Sequence, residues 1–325
     1  GGEYPLSAAV TAEIAKDVGL SRGRFMALVI SMQGFGTLLS CIVALLAIKA
    51  ELPLWYTWRL LLGFGALPAL VAFLLRLGLH ETKAFTASQD ATASGHNGSL
   101  CDTVGKLRVV LLGTALSWFV MNLVLYSIAS FKTTILHELG NNEGTDDEQL
   151  LSDTLFATVS SVFAIVGFLL GHAALDNVSR FSQQLWGFLG VALTFFTAVA
   201  AQSSGENKVW KSVAVLSFIL LFMNAGPNMT TFILPGEAFP TRVRATCHGI
   251  SAACGKMGAV IGTALLPHFK DMFGLSAVYC TCGIMACIGA LVTFCFTPRR
   301  LSDNATLDES LDRALASMYG RNSPK

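Results

Sequence analysis

Charged side chains are scarce in this sequence. They make up 13% of its 325 residues, whereas a soluble domain carries about 25%. The two signs nearly cancel, with 22 basic and 21 acidic residues and a formal net charge of +1, so the basic surface of a nucleic-acid-binding domain is missing. Hydrophobic residues account for 53% of the chain and mean hydropathy is +0.59. We therefore expect no nucleic-acid partner and a chain that lies in a lipid bilayer.

The hallmarks of metal sites and of enzymes are also missing. The eight cysteines show neither zinc-ligand spacing nor the framework of a disulfide-rich secreted domain. We interpret them as small packing residues; they are Cys41, Cys101, Cys247, Cys254, Cys280, Cys282, Cys287 and Cys295. No serine–histidine or paired-aspartate arrangement falls at matching depths of the apolar runs, which disfavours an intramembrane enzyme. We expect no cofactor, no metal and no catalytic residue.

Long apolar runs dominate what is present. A transmembrane helix needs about 20 predominantly apolar residues. Eight runs meet that length, at about 24–48, 56–79, 107–131, 153–175, 183–202, 210–235, 246–269 and 276–297. Residues 1–15 form an amphipathic run that is too short to cross alone. The pattern predicts an all-α integral membrane protein with eight full spans and one partial span.

Basic residues orient these spans, because cytoplasmic loops carry an excess of lysine and arginine. One alternating set of loops holds Lys16, Arg22, Arg24, Lys83, Lys106, Arg108, Arg180, Arg242, Arg244, Arg299 and Arg300. The opposite set includes the acidic connection at 138–153. The basic set is therefore predicted to be cytoplasmic, with Arg242 and Arg244 as positive-inside anchors and a cytoplasmic latch; contact with the substrate is the alternative interpretation of these two arginines.

A polar stretch rich in serine, threonine and glycine divides the chain. It predicts four regions: a partial N-terminal transmembrane bundle at 1–79, a cytoplasmic linker at 80–106, a six-helix C-terminal bundle at 107–297 and a cytoplasmic tail at 298–325. The chain opens on Gly1, without an initiating methionine or a signal peptide. Because six spans follow the linker and only about two and a half precede it, we expect a truncated N-terminal bundle that lacks about three and a half spans.

The segment 224–262 holds two apolar helical runs joined by a short basic turn. Gly226-Pro227 and Pro235-Gly236 interrupt the first run, and proline frees backbone groups that can meet a ligand or water. Lys256 lies inside the second run, where an ammonium group costs about 2.5–3.5 kcal/mol at membrane depth. Broken helices beside a buried charge are typical of a transporter site. The alternative for Lys256 is a lysine that snorkels toward the membrane surface.

Trp118, Asn122 and Tyr126 follow one another at intervals of four residues. This spacing places an indole, an amide and a phenol on one face of a helix. Together they could donate several hydrogen bonds to an oxyanion. A helix–helix contact stabilised by polar side chains is the alternative interpretation of the same stripe.

Several segments in combination resemble the phosphate:proton symporters of the major facilitator superfamily. The segments are GGEYPLS at 1–7, SMQGFG at 31–36, WFVMNLVLYS at 118–127 and GPNMTTFILPGEAFPTRVRATCHGISAACGK at 226–256. Weaker matches are LHETKAFT at 79–86 and LDNVSRF at 175–181. The resemblance covers nearly the whole chain. It implies the major facilitator fold, with a partial N-terminal bundle of about 2.5 helices and a complete six-helix C-terminal bundle.

The resemblance also implies a set of site residues. Those that would contact phosphate are Tyr4, Gln33, Trp118, Asn122, Tyr126 and Asn228, and those that would act in gating or coupling are Glu3 and Lys256. Asn122 and Glu3 stand where the family usually has aspartate, and the aspartate that would pair with Lys256 belongs to a helix this sequence lacks. Alternatives are a kink-stabilising role for Asn228 and close helix packing for the segment around Gln33.

The implied function is secondary active transport of inorganic phosphate, coupled to protons, by alternating access. By the same resemblance we expect a monomer in the plasma membrane. Sodium is the alternative coupling ion, because Asn122 cannot titrate. Two other functions remain open: a transporter of the same fold for another organic or phosphorylated anion, such as a glycerophosphodiester, and a nutrient sensor or truncated remnant that does not transport.

Overall fold

The computed structural model describes residues 3–15, 19, 21–78, 105, 107–138, 145–202 and 208–299. Over these residues the chain is helical and forms no β-strand. In chain order the helices are α1 (Glu3–Ile14), α2 (Arg22–Lys49), α3 (Leu54–Arg76), α4 (Arg108–Glu138), α5 (Asp146–Ala174), α6 (Arg180–Gln202), α7 (Lys208–Ala225), α8 (Pro227–Ala238) and α9 (Thr241–Phe296). The prediction of an all-α architecture is confirmed.

Seven stretches of these helices are long and apolar enough to cross a membrane. One of them joins α7 and α8, at Trp210–Ala238, and the longest is Val243–Phe296 in α9. Gly274 interrupts α9 with a backbone φ of 79°, so α9 supplies two spans of the predicted length, before and after this residue. The helices thus account for the eight predicted full spans. With 12 residues, α1 is the short partial one.

The predicted division into four regions remains a prediction. Most of the proposed linker and tail, at 80–104 and 300–325, lies outside the described residues, as does the centre of the acidic connection, at 139–144. The start of α5 after that connection is well specified. Thr145 and Glu148 form a reciprocal capping box, and the acidic residues of the first turn complement the positive end of the helix dipole.

Small residues set how closely α9 approaches α4. A side chain at Gly258 would collide with the backbone carbonyl oxygen of Phe119. At Gly262 an added Cβ would lie 2.5 Å from the carbonyl oxygen of Leu123. Small residues at a spacing of four let helix backbones come together inside a membrane. Gly258 and Gly262 therefore form a packing face between α9 and α4.

At the break between α7 and α8, the backbone of Gly226 closely approaches α6. Gly226 precedes the first residue of α8, Pro227, and a Cβ at Gly226 would lie 2.6 Å from Cα of Gly187 on α6. Proline suits the first position of a helix, where its missing N–H has no partner to lose. Gly226 therefore allows the contact with α6, and Pro227 begins α8. Together these two residues fix the position of Asn228, which follows them.

Ion pairs tie the helices together at the end predicted to be cytoplasmic. Arg180 donates from Nε to Glu237 Oε2 at 3.0 Å and from Nη2 to Glu237 Oε1 at 3.1 Å. Arg24 at the start of α2 pairs with Asp176 in the turn between α5 and α6. Arg244 is 1% exposed and lies 3.9 Å from Glu13 of α1. It is buried between helices, which fits the latch rather than the surface anchor.

Candidate functional site

One cavity draws its walls from five helices. Its lining consists of Tyr4 from α1, Ile30 and Gln33 from α2, Trp118, Asn122, Leu125 and Tyr126 from α4, Asn228 and Phe232 from α8, and Ala252 and Lys256 from α9. The six residues predicted to contact the ligand, together with Lys256, all lie on this wall. The cavity is narrow: water-sized molecules can place their centres in about 20 Å³ of it, which suffices for one or two waters at about 10–15 Å³ each.

Helix α4 contributes the predicted stripe of Trp118, Asn122 and Tyr126. Trp118 is 5% exposed and Asn122 is 4% exposed. On the facing helix, a Cβ at Gly255 would lie 2.6 Å from Trp118 Cδ1 and 2.9 Å from Asn122 Nδ2. The absence of a side chain at position 255 therefore leaves room for the indole and the amide between the two helices. The stripe lies at a helix contact and also faces open space.

Lys256 turns toward the cavity and away from the membrane surface. Its Nζ donates to the hydroxyl oxygen of Tyr126 at 3.2 Å. The same ammonium group lies 4.9 Å from the ring centre of Tyr4 and 5.2 Å from that of Tyr126, and aromatic faces attract cations at such distances. This placement contradicts the snorkelling alternative. Lys256 is the only formally charged side chain among the described residues that line the cavity.

Asn228 lies on the first turn of α8, directly after the break. Its Nδ2 donates to Oδ1 of Asn224 at 2.7 Å. A primary amide has two N–H donors and two acceptor lone pairs, so one N–H and the carbonyl oxygen of Asn228 remain for a ligand. Asn224 was missed by the sequence reasoning. The signal was its position four residues before Asn228, which helical geometry places on the same face despite the break.

An aromatic layer closes one side of the cavity. The ring of Tyr4 meets Trp118 edge-on at 6.4 Å and Phe232 edge-on at 6.3 Å between centroids. Edge-to-face pairs at such separations stabilise one another. The fully buried ring of His248 lies against the same two residues, 5.3 Å from Trp118 and 5.5 Å from Phe232. Sequence reasoning gave His248 no part in the site.

The N-terminal helices supply the two remaining predicted residues. Gln33 of α2 lines the cavity, while the neighbouring Gly34 is pressed against Phe168 of α5, 2.9 Å from where its Cβ would lie. The alternative of close packing thus applies to Gly34, and Gln33 is left facing the open space. Glu3 begins α1, but its side chain lies outside the described part of the structure, so its gating role stays a prediction.

The cavity combines several neutral donors with one cation. Indole N–H, phenol hydroxyl and amide N–H groups surround an ammonium group, and no carboxylate is present among the described lining residues. Charge-assisted hydrogen bonds from such groups hold oxyanions. A metal site is not indicated: the described residues contain no group of three or more histidine, cysteine, aspartate or glutamate side chains that could hold an ion.

The sequence matches a known protein family and several named relatives. The family model described as "Sugar (and other) transporter" matches residues 88–304. The chain is 32% identical over 306 residues to the "Putative inorganic phosphate transporter 1-13" of Oryza sativa subsp. japonica, which covers 81% of this chain and 59% of that protein. It is 31% identical over 314 residues to the "Probable inorganic phosphate transporter 1-7" of Arabidopsis thaliana, covering 81% and 58%. The chain thus spans about 59% of the length of the relatives it matches.

Among solved structures, the chain resembles the proton:xylose symporter XylE of the major facilitator superfamily, bound to 6-bromo-6-deoxy-D-glucose. The TM-score is 0.73 at 19% identity, over 94% of this chain and 70% of that one. At this identity the likeness shows the fold alone. With the family match and this fold in hand, the chain belongs to the sugar (and other) transporter family, and it is a multi-pass integral membrane protein of the major facilitator fold.

Proposed function

We propose that this protein is a secondary active transporter that carries inorganic phosphate, coupled to protons, by alternating access. The observation that carries the proposal is the cavity itself, in which four helices place neutral polar side chains around the same space as the ammonium group contributed by the fifth. The relatives at 31–32% identity are named as inorganic phosphate transporters, which supports the same substrate here.

Charge favours phosphate over a sugar in this cavity. A sugar is neutral and gains little from an ammonium group, whereas Lys256 compensates a bound anion and donates to its oxygens. Phosphate also differs from sulfate because its protonated oxygens are donors. The amide oxygens of Asn122 and Asn228 can accept from them, and a site built to pair such donors rejects an analogue that lacks them.

The walls of the cavity must separate to admit the anion. In the present structure Lys256 donates to Tyr126, and the open space is only large enough for about one or two waters. A tetrahedral oxyanion therefore has to enter between these two side chains and take over the hydrogen bond. Rocking of helical bundles about a site built on a broken helix is the general way in which such folds alternate access, and α8 supplies the broken helix.

The proposal can be tested with radiolabelled phosphate and the purified chain in lipid nanodiscs. We expect saturable binding by the wild type. Lys256→Met keeps the length of the side chain and removes its charge. Because loss of one partner of a buried charge-assisted contact costs about 2–5 kcal/mol, affinity should fall by about 30-fold or more. Lys49→Met is the matched control, since Lys49 is an exposed lysine at the end of α2.

Two further measurements separate the alternatives. Competition by sulfate, a glycerophosphodiester and xylose identifies the cargo, and only a phosphate-selective pattern agrees with the proposal. Uptake into liposomes under an imposed proton gradient or sodium gradient identifies the coupling ion and distinguishes a carrier from a sensor that binds without transport. A folded wild type with no saturable phosphate binding would rule the proposal out.

A further inference from the structure

His248 lies directly behind the wall of the cavity. It stands on α9 eight residues before Lys256, and none of its surface is exposed. Its ring contacts Trp118 and Phe232 edge-on, and both of these residues line the cavity. The imidazole is therefore separated from the space for the anion by the thickness of one aromatic layer.

The hydrogen bonds of this ring fix its tautomer. Nε2 lies 3.1 Å from the backbone carbonyl oxygen of Phe232. A carbonyl oxygen can only accept, so Nε2 carries the hydrogen in the neutral ring. Nδ1 is then an acceptor, and it has no hydrogen-bond partner among the described residues. The ring is held in place through one nitrogen, while the lone pair of the other can accept a proton.

A buried polar atom without a partner is costly, and most such atoms in native structures have an explanation. An apolar side chain would fill the same space between Trp118 and Phe232 without that cost. A purely structural histidine would be expected to use both of its nitrogens. The unpaired Nδ1 lone pair of His248 instead resembles that of a histidine that accepts a proton at a functional site.

We propose that His248 is the proton-binding group of this transporter, and that a proton adds to Nδ1 when an anion occupies the cavity in front of Trp118 and Phe232. This inference rests on the proposed function. A cation in apolar surroundings is costly unless an anion lies nearby, so phosphate in the cavity stabilises the imidazolium. By linkage the imidazolium strengthens phosphate binding by the same factor. Release of the anion then returns the proton to solution.

The charged groups around His248 leave its imidazole as the group that can take up a proton. Among the described side chains, the titratable and charged groups of the nearby helices are Tyr4 and Glu13 on α1, Arg108 and Tyr126 on α4, Glu237 on α8 and, within eight residues of His248 on α9, Arg244, Cys247, Cys254 and Lys256. Glu237 is held by Arg180, and Glu13 lies beside Arg244. Asn122, at the position where the resembling family usually has a carboxylate, is neutral. The imidazole is thus the neutral group next to the cavity that can become a cation by gaining a proton.

The test is the pH dependence of phosphate affinity in wild type and His248→Gln. Glutamine keeps an N–H within reach of the Phe232 carbonyl but cannot be protonated. The ratio of the two dissociation constants cancels the titration of phosphate itself. We expect that the wild type's advantage over the variant grows by about fivefold or more from pH 8 to pH 5.5, the lower end of typical coupling factors. A ratio that stays constant over this range would overturn the inference.

His268→Gln is the control, because His268 is an exposed histidine on the same helix and its replacement should leave the pH profile unchanged. The outcomes also separate the two proposals. If both proteins bind phosphate with parallel pH profiles, the role of His248 fails and the proposed function stands. If the folded wild type binds no phosphate at any pH, the proposed function fails and the inference falls with it.

Wild-type protein labelled with ¹⁵N-histidine provides a measurement that needs no variant. At pH 6, addition of phosphate should convert the signals of one of the six histidines from neutral imidazole to imidazolium. His248→Gln, if it folds, assigns that signal by its loss. If no histidine gains a proton when phosphate binds, the inference is refuted even if the variant does not fold.

Discussion

Two polar clusters lie side by side in this molecule and use the same helices differently. The first is the cavity wall. The second, which we name the Gln184 network, consists of Ser117, Gln184, Thr230 and Thr293. Ser117 is the chain neighbour of Trp118 on α4, and Thr230 lies two residues after Asn228 on α8. On each of these two helices, a residue of the network and a residue of the cavity wall are close in sequence but lie on different faces.

In the Gln184 network every polar group has its partner inside the protein. Gln184 Nε2 donates to Ser117 Oγ at 3.1 Å and to Thr293 Oγ1 at 2.9 Å, and its Oε1 accepts from Thr230 Oγ1 at 2.9 Å. None of the four side chains is exposed. In the cavity, hydrogen-bond donors such as the second amide N–H of Asn228 have no partner among the described residues. Satisfied buried networks specify packing, whereas unsatisfied donors around a space are what a ligand needs. The comparison therefore assigns stability to the Gln184 network and supports the proposed role of the cavity in recognition.

The largest effect should come from a change that damages both clusters. Gly258→Val places a branched side chain against the backbone of Phe119 and forces α9 away from α4, which both clusters require. Overpacking of this kind costs about 1–3 kcal/mol, occasionally more, and here the obstacle is backbone. We expect a strongly lowered Tm and no phosphate binding. Gly36→Val is the control, because a Cβ at Gly36 meets nothing within 4 Å; equal Tm values for the two variants would contradict the prediction.

A smaller effect should separate the clusters. Gln184→Leu leaves buried hydroxyl groups without one partner, and the free energy of unfolding should fall by about 1–3 kcal/mol. Phosphate affinity should change by less than about twofold, because Gln184 does not line the cavity and none of its hydrogen-bond partners in the network lines it either. The measurements are chemical unfolding in detergent and phosphate binding below the Tm.

Gln33→Leu is the reciprocal variant. It makes the same substitution at an exposed residue of the cavity wall, so affinity should fall while stability is unchanged. If Gln184→Leu lowered affinity as much as Gln33→Leu does, the division between the two clusters would be wrong.

A still smaller effect is expected at Asn224. Asn224→Ala removes the acceptor that orients the amide of Asn228 without removing a side chain of the cavity lining. A neutral hydrogen bond contributes about 0.5–1.5 kcal/mol, so phosphate affinity should fall by about 2–10-fold. Asn224→Ser, which keeps a neutral acceptor oxygen, should bind more tightly than the alanine variant. Equal affinities for these two variants would show that Asn224 does not act through Asn228.

The smallest effect should lie outside both clusters, at Asp176→Asn. The hydrogen bond from Arg24 lowers the pKa of Asp176 below its ordinary value of 3.8. A carboxyl whose pKa is lower in the folded state contributes stability above its unfolded pKa and loses it as pH falls through the folded pKa. The pair is solvent-exposed, so its contribution is small. We expect a slight Tm difference between wild type and variant at pH 7 that shrinks as the pH falls from about 3.8 through the lower pKa of the folded state. A difference that does not shrink as the pH falls would contradict this origin.

The sequence predicted most of what periodicity and hydropathy control. A spacing of four residues placed Trp118, Asn122 and Tyr126 on one face before any coordinates were considered, because a helix fixes that relation locally. The apolar runs gave the spans for the same reason. Their boundary near Gly274 was predicted as well, but its form as a single residue of positive φ between two helical segments of α9 was not.

Tertiary neighbours could not be predicted from the sequence. Gln183 and Gln184 are adjacent and both buried, yet Gln183 donates to the backbone oxygens of Gly171 and Ala225 while Gln184 joins four helices. Nothing in their local pattern distinguishes these roles, since they depend on which helices pack on either side. His248 was overlooked for the same reason: its contacts with Trp118 and Phe232 join three helices.

The single charge of the cavity has a consequence for how the transporter would respond to voltage. A divalent phosphate beside Lys256 and the imidazolium of His248 makes the occupied centre electrically neutral, so its movement between the two sides of the membrane carries no net charge. The empty centre keeps one positive charge, and moving a unit charge through the potential is worth about 2.3 kcal/mol per 100 mV. The membrane potential would then act mainly on the return of the unloaded carrier.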